Sequence, residues 1–296
     1  MGAKPRFLIA VPLIAAYLAE TDRPLFNRRQ LENIFREQRS IWKLPKAMLA
    51  RDFIEKLVEH SLLTATSIVL PAGRRTFYCR GAVNPHQLAL GLVPYSYLSH
   101  ESALYIHGLL PKVPQQIFVN QEQSAKSHST TAALTQTAVD AAFSKPQRQP
   151  QQRMAYEGNE VVFLNGQATG QLGVVELTHP EVGEVRVTSL ERTLLDITVR
   201  PAYAGGVANV LRAYHAAARR ISVQKLLDLL KKLNYRYPYH QAVGFYLERT
   251  GVYRAADLKQ FAQQEKSLDF YLAHAMDEME YFPKWRVFYP AQLMSC

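Results

Sequence analysis

Three residue types that hydrolases use in catalysis follow one another in the chain, as Ser99, His100 and Glu101. Neighbouring residues on a helix point in different directions, and no Gly-x-Ser-x-Gly turn surrounds the serine. Capping of a short helix from His100 to His107 explains Ser99 more simply, with Gly108 ending that helix. The sequence therefore predicts no hydrolase site at this position.

Other polar and glycine motifs also lack the spacing that catalysis or metal binding needs. The nine histidines include no His-Glu-x-x-His, and neither Cys79 nor Cys296 forms a metal-ligand pattern with them. Gly205-Gly206 lacks the Gly-Lys-Ser/Thr tail of a phosphate-binding loop and is typical of a tight turn between helices. Glu176 has no lysine two residues on, as a metal-dependent nuclease core would require. We therefore expect no catalytic residue, no metal, no cofactor and no enzymatic activity.

Basic side chains are concentrated in the first third of the chain. The whole sequence has 35 Lys and Arg against 25 Asp and Glu, a net charge of +10. Residues 1–90 hold fourteen basic and seven acidic side chains, a net charge of +7. Because neutralisation of phosphates supplies most nucleic-acid affinity, this distribution favours a polyanion-binding module at the N-terminus.

The spacing of apolar residues over positions 1–90 predicts three helices followed by a β-hairpin. The first helix ends before Pro24, Asn27 caps the second, and the third follows Pro45. Strands at 62–70 and 75–80 flank a turn at Pro71-Ala72-Gly73. The buried faces are expected at Leu13, Ile14, Tyr17 and Leu18, then at Leu31, Ile34 and Phe35, then at Leu49, Phe53, Leu57 and Val58.

Three helices followed by a two-stranded hairpin is the order of a winged helix-turn-helix domain. In such a domain a later helix enters the major groove of DNA, while cations on its neighbours and on the hairpin contact phosphates. We therefore expect double-stranded DNA as a partner, although solvated charges on a common small fold would give the same pattern. The candidate DNA-binding residues are Arg28, Arg29, Lys46, Arg51, Lys56, Arg74, Arg75 and Arg80.

Beyond residue 90, predicted strands come before predicted helices, which indicates an α+β fold rather than alternating βαβ units. We expect residues 1–90 to form the winged helix-turn-helix domain and residues 91–296 a larger mixed α/β domain, with 121–153 as a mobile insertion. Thr188 and Glu191 form a capping-box pattern in front of a helix. The predicted strands are 116–120, 161–164, 172–177, 184–187 and 285–289, and the predicted helices are 100–107, 130–143, 189–199, 207–214, 223–233 and 239–250.

The start of the chain and the cysteines bear on its compartment. Lys4 and Arg6 precede an apolar run from Phe7 to Ala19, a pattern shared with signal peptides. The run is too short to span a bilayer and contains Pro12, so we expect a buried first helix instead. Two cysteines cannot build a disulfide framework, which favours a reducing, cytoplasmic setting without membrane association.

Three stretches of the sequence together resemble the AbiEi family of antitoxins from bacterial type IV toxin–antitoxin systems. They are Tyr97–Leu109, Thr188–Gly206 and Tyr237–Glu248, and the second, TSLERTLLDITVRPAYAGG, is the longest. The resemblance implies a repressor that binds inverted repeats at its own promoter. It also implies a C-terminal domain that opposes a nucleotidyltransferase toxin, in the context of phage defence.

Within Thr188–Gly206, helix capping and pairing of side chains along one helix face explain Arg192 and Asp196 at least as well as binding does. As partner-binding candidates we retain Arg192, Asp196 and Arg200. Two alternatives to a DNA-binding antitoxin remain. One is a DNA-processing enzyme with a nuclease-like C-terminal domain delivered by the winged helix, and the other is a protein-interaction module with incidental charge.

Overall fold

The structure is a computed structural model that describes residues 5–21, 24–70, 73–110, 112–125 and 133–295. Helices and several sheets are combined in it, so the expected α+β class is confirmed. Within these ranges no helix has both the length and the apolar character needed to cross a bilayer. Lys4, Cys296, most of the hairpin turn and the start of the helix predicted at 130–143 lie outside the described residues.

The first third of the chain contains three helices and a small antiparallel sheet. The central strand of the sheet is the last one in sequence, so the strand order is β1-β3-β2. The predicted hairpin is present, whereas the three-residue strand β1 was not predicted. The elements are α1 Arg6–Glu20, β1 Leu25–Asn27, α2 Arg28–Gln38, α3 Ala50–Glu59, β2 Thr64–Leu70 and β3 Gly73–Cys79.

The buried faces of these helices differ in part from the predicted ones. Leu13 is 55% exposed, because α1 instead buries Phe7, Ala10, Ile14 and Leu18. Apolar residues surround most of α1, so their periodicity alone cannot identify the buried face. Leu49 is 60% exposed and precedes α3, which buries Phe53, Ile54 and Leu57. The predicted cap is confirmed, since the Asn27 side chain accepts a hydrogen bond from the Gln30 amide.

A mixed six-stranded sheet follows, with strand order β6-β7-β5-β4-β9-β8. The pairs β5–β7 and β4–β9 are parallel and the other three pairs are antiparallel. Apolar residues of its strands share one buried cluster with Leu25 of β1 and with the helix α4, Pro85–Leu92. The strands are β4 Tyr97–Leu98, β5 Gln116–Glu122, β6 Arg153–Tyr156, β7 Asn159–Gly166, β8 Val174–His179 and β9 Gly183–Thr188.

The remaining helices contribute buried apolar residues to the largest cluster, together with Trp285, although most of those of the helix at 100–106 belong to the cluster of the six-stranded sheet. The terminal strands form a three-stranded sheet in the order β10-β12-β11, and short 3-10 segments occupy 201–204 and 291–295. The elements are α5 His100–Ile106, α6 Gln136–Phe143, α7 Leu190–Val199, α8 Val207–Ala217, α9 Val223–Leu233, α10 Tyr239–Arg249, α11 Ala255–Ala262, β10 Phe270–Tyr271, β11 Met279–Phe282 and β12 Val287–Pro290.

Two features bear on the expected division of the chain. Helix α4 crosses the expected boundary at residue 90, and that boundary stays a prediction. In the segment expected to be a mobile insertion, α6 buries Val139 and Phe143 in the largest cluster, while 126–132 lie outside the described residues.

The capping prediction at α7 is wrong by one residue. Ser189, not Thr188, occupies the N-cap position and accepts a hydrogen bond from the Arg192 amide at 3.3 Å. Thr188 is the last residue of β9, and its hydroxyl pairs with that of Thr193 at 2.8 Å. The predicted turn at Gly205-Gly206 is confirmed, because both glycines have positive φ angles between a 3-10 segment and α8.

Candidate functional site

Three of the eight candidate DNA-binding cations are paired with acids on their own helix. In α2, the Nε atom of Arg28 lies 2.8 Å from a Glu32 carboxylate oxygen. In α3, Arg51 lies 3.6 Å from Asp52 and 3.9 Å from Glu55. Lys56 lies 3.7 Å from Glu59. Exposed pairs of this kind contribute little to stability and exchange readily with other ions. The acids nevertheless outnumber the cations on α3, which weakens its attraction for phosphates.

Four other candidates are exposed and have no ion pair with any described acid: Arg29, Lys46, Arg74 and Arg75. We call Arg74 and Arg75 the hairpin arginines. They pair with Val69 and Ile68 on the neighbouring strand, beside the turn. Because successive strand residues point to opposite faces, the hairpin arginines present their charge on both faces of the hairpin.

Arg80 is placed differently from the other seven candidates. Its side chain is half-buried, and its guanidinium donates a hydrogen bond to the Leu18 carbonyl near the end of α1. Its backbone amide also donates to Pro24 at 2.9 Å. These contacts fasten the end of α1 to β3, which is a structural role, and a DNA contact by Arg80 stays a prediction.

Sequence reasoning missed Arg39 as a residue that shapes the basic surface. Its guanidinium donates to the carbonyl oxygens of Pro45, at 2.9 Å, and of Lys46. These bonds fix the turn between α2 and α3 from which the Lys46 side chain is exposed. No sequence pattern signals the contact, because it joins a helix end to backbone carbonyls of an irregular segment.

The strongest motif of the resemblance places a buried ion pair inside α7. Arg192 Nε and an Asp196 carboxylate oxygen are 2.8 Å apart, and both side chains are 7% exposed. Arg192 also donates to the Leu172 carbonyl at 2.5 Å, while the second Asp196 oxygen is buried and has no hydrogen-bond partner among the described residues. Burial raises the pKa of Asp196, and the adjacent guanidinium opposes that rise. The pair is closed to any partner at the surface, which supports the structural interpretation of these two residues.

Polar contacts join residues at the start of α7 to neighbouring elements. His107, from the first stretch, donates to the Thr188 carbonyl at 2.7 Å. Glu191 lies 3.0 Å from the Lys225 ammonium group and accepts from the Ser222 amide, which joins α7 to the start of α9. The polar residues of the motif thus connect neighbouring elements of the core.

The side chains of Ser99 and His100 are in contact, but the properties of this pair favour a structural role over a catalytic one. The Ser99 hydroxyl is 2.9 Å from His100 Nδ1 and makes no cap bond to α5, so the predicted side-chain capping by Ser99 is wrong. Burial, with help from Arg200 and Arg192, lowers the pKa of His100 to about 3. A base with so low a pKa is poorly matched to proton abstraction near neutral pH.

Arg200 follows α7 and lines a cleft of about 400 Å³ that sequence reasoning did not foresee. We call it the arginine cleft, because Arg200 from the helix end and Arg148 from the loop before β6 both line it. His100, Asn120, Phe163 and Tyr203 contribute further walls. Arg200 is therefore the one candidate of the three in this motif that a ligand could reach.

Comparisons with known proteins bear on the fold alone. No protein-family model matches the chain, and no curated protein matches it. A crystal structure of the RV2827C protein from Mycobacterium tuberculosis is similar to it, with a TM-score of 0.57 and 14% sequence identity, over 97% of this chain and 94% of that one. The chain thus shares an overall α+β architecture with a solved bacterial protein.

Proposed function

We propose that this protein is a DNA-binding transcriptional autorepressor, in which residues 1–90 act as a winged helix-turn-helix domain. The element order α1-β1-α2-α3-β2-β3 and the sheet order β1-β3-β2 support this assignment. A short strand after the first helix completes the sheet, so the hairpin is anchored to the helices. On this proposal α3 is the recognition helix that would enter the major groove.

The observation that carries the proposal is the pair of hairpin arginines. They are exposed, adjacent and without an ion pair among the described acids, and they lie beside the turn of the hairpin. In a winged helix-turn-helix domain, cations of the hairpin contact the DNA backbone. With Arg29 and Lys46 they make four cations whose charge no described acid offsets. We expect these four residues to supply most of the phosphate neutralisation, because acids outnumber cations on α3.

The salt dependence of binding tests this assignment. Each phosphate contact contributes about 0.9 to the slope of log K against log salt concentration. Replacing the hairpin arginines together, Arg74→Ala with Arg75→Ala, should reduce that slope by about 2 and weaken binding to all duplexes. The assay is fluorescence anisotropy of a labelled duplex from the region upstream of the gene, titrated at several salt concentrations.

A charge-matched control separates a local contact from loss of net charge. Lys231→Ala with Lys232→Ala also removes two exposed positive charges, but from α9. The control should keep the wild-type slope. An unchanged slope in the hairpin variant, or equal losses in both variants, contradicts a backbone contact by the hairpin.

We further propose that the protein is the antitoxin of a type IV toxin–antitoxin system and opposes a nucleotidyltransferase toxin. This part rests on the resemblance of Thr188–Gly206 and its two companion stretches to the AbiEi family. Co-expression with the product of a neighbouring nucleotidyltransferase gene should relieve growth inhibition by that product. Growth inhibition that persists at equal expression contradicts the antitoxin role and leaves DNA binding untouched.

A further inference from the structure

The arginine cleft has the charge of an anion-binding site. Neither Arg148 nor Arg200 forms an ion pair with a described carboxylate, and no aspartate or glutamate is among the described residues that line the cleft. The positive charge of Arg200 acts on a neighbouring side chain. Burial is the largest cause of the lowered pKa of His100, and Arg200 is the next. Two cations without counter-ions in a concave site attract a negatively charged ligand.

One contact within the chain imitates such a ligand. With the Gln147 carboxamide oriented so that its oxygen faces Arg200, that oxygen accepts from Nε at 3.3 Å and from Nη1 at 2.8 Å. Two N–H groups of Arg200 then converge on a single acceptor oxygen, and such donors are the ones that form charge-assisted hydrogen bonds to phosphate oxygens. The Tyr203 hydroxyl donates to the Arg148 carbonyl at 3.4 Å, which ties the loop that carries Arg148 to the same cleft.

The rest of the lining matches a nucleoside better than a bare ion. A volume of about 400 Å³ exceeds what inorganic phosphate needs and lies within the range typical of organic-ligand pockets. Phe163 and Tyr203 supply apolar surface, while Asn120 and Asn165 supply amide donors and acceptors. His100 and Asn120 are more than nine-tenths buried at the cleft, so these walls belong to the packed core.

We propose that the arginine cleft binds a nucleoside monophosphate, with the phosphate on Arg148 and Arg200 and the nucleoside against Phe163 and Tyr203. The same chemistry is offered by a free nucleotide and by the 5′-phosphorylated end of a strand. This site is separate from the hairpin arginines. The hairpin variant should therefore keep its nucleotide affinity, and a failure of either proposal can be told from a failure of the other.

Isothermal titration calorimetry of the full chain with AMP, GMP, CMP and UMP tests the proposal. At least one of them should bind with a Kd below about 1 mM. Arg148→Gln and Arg200→Gln should each weaken that binding about tenfold or more, because each removes a charge-assisted hydrogen bond to the phosphate. Arg148 is exposed, so its variant should fold normally, and Arg219→Gln, also exposed, is the matched control that should keep wild-type affinity.

Three further probes complete the test. A 5′-phosphorylated trinucleotide that binds more tightly than the mononucleotide indicates a strand end as the ligand, and one that binds more weakly indicates a free nucleotide; either ranking supports the proposal. Inorganic phosphate or adenosine binding as tightly as the nucleotides overturns it, because one half of the ligand would then be irrelevant. Absence of binding by all four nucleotides, or equal affinity in the arginine variants, also overturns it.

Discussion

Replacing Asp196 by alanine should destabilise the protein by about 3–5 kcal/mol, because the change leaves the Arg192 guanidinium buried without its counter-charge. The two side chains are 2.8 Å apart and each is 7% exposed, so water cannot replace the lost carboxylate. Arginine does not lose its proton in proteins, so deprotonation cannot relieve the cost of the unpaired buried charge. Among the described residues, the Leu172 carbonyl is the only other hydrogen-bond acceptor of the Arg192 guanidinium.

Replacing both partners by apolar residues should cost far less than the single change. One buried Asp196 oxygen has no hydrogen-bond partner in the described part of the chain, and a buried oxygen without a partner costs about 1–3 kcal/mol. Arg192→Met with Asp196→Leu removes both charges and that orphaned oxygen. We expect the stability of this double variant to lie within about 1 kcal/mol of the wild type or above it.

Urea unfolding followed by circular dichroism and tryptophan fluorescence measures these differences. The two tryptophans, Trp42 and Trp285, are both buried and lie in different apolar clusters, so they report on different parts of the chain. Glu32→Ala breaks the exposed pair with Arg28 and should barely move the midpoint, because solvent screens that pair. A double variant as unstable as the sum of the single variants would refute the structural interpretation of the motif.

Two further properties should respond to single changes. Gly244→Ala should destabilise the protein by about 1–3 kcal/mol, because the added methyl group would overlap the ring of Trp285. Gly91→Ala is the matched helical control: its methyl comes closest to the terminal Cδ2 atom of the Leu25 side chain, at 2.8 Å, so a larger loss there would contradict the packing argument. Burial, with a smaller effect of a nearby histidine, lowers the pKa of His86 from 6.5 to about 4, so the unfolded chain takes up a proton before the folded one as pH falls. Stability should thus fall by about 3 kcal/mol between pH 6.5 and 4 through this group. His86→Leu should flatten the pH profile of the urea midpoint. The control His215→Leu changes an exposed histidine and should leave that profile unchanged. A His86→Leu profile equal to that of the wild type would exclude a role for His86.

Local features of the chain were predictable wherever neighbours in sequence determine them. The Asn27 cap, the turn at Gly205-Gly206 and the hairpin around residue 72 depend on a few adjacent residues, and the structure agrees for the parts it describes. The face of α1 was not predictable, because apolar residues surround that helix. Strand β4 has only two residues, too few for an alternating pattern to identify it.

The candidate functional residues were also predictable only where neighbours in sequence determine their setting. The sequence located the exposed cations of the first third, but ion pairing with Glu32 and with the acids of α3 depends on side-chain conformation. The burial of Asp196 depends on how α7 packs against α5, α9 and α10, which are separated from it in sequence. The arginine cleft joins Arg148 to Arg200 across 52 positions of sequence, so only the fold could bring the two together.

Sequence-selective DNA binding is the central claim, and one equilibrium measurement tests it most directly. The affinity of the full chain for a duplex from the region upstream of its own gene is compared with that for a shuffled duplex of equal length, at physiological salt. The account predicts that the upstream duplex binds about 1,000-fold more tightly or better, with affinity falling steeply as salt is raised. Equal affinity for the two duplexes would contradict it.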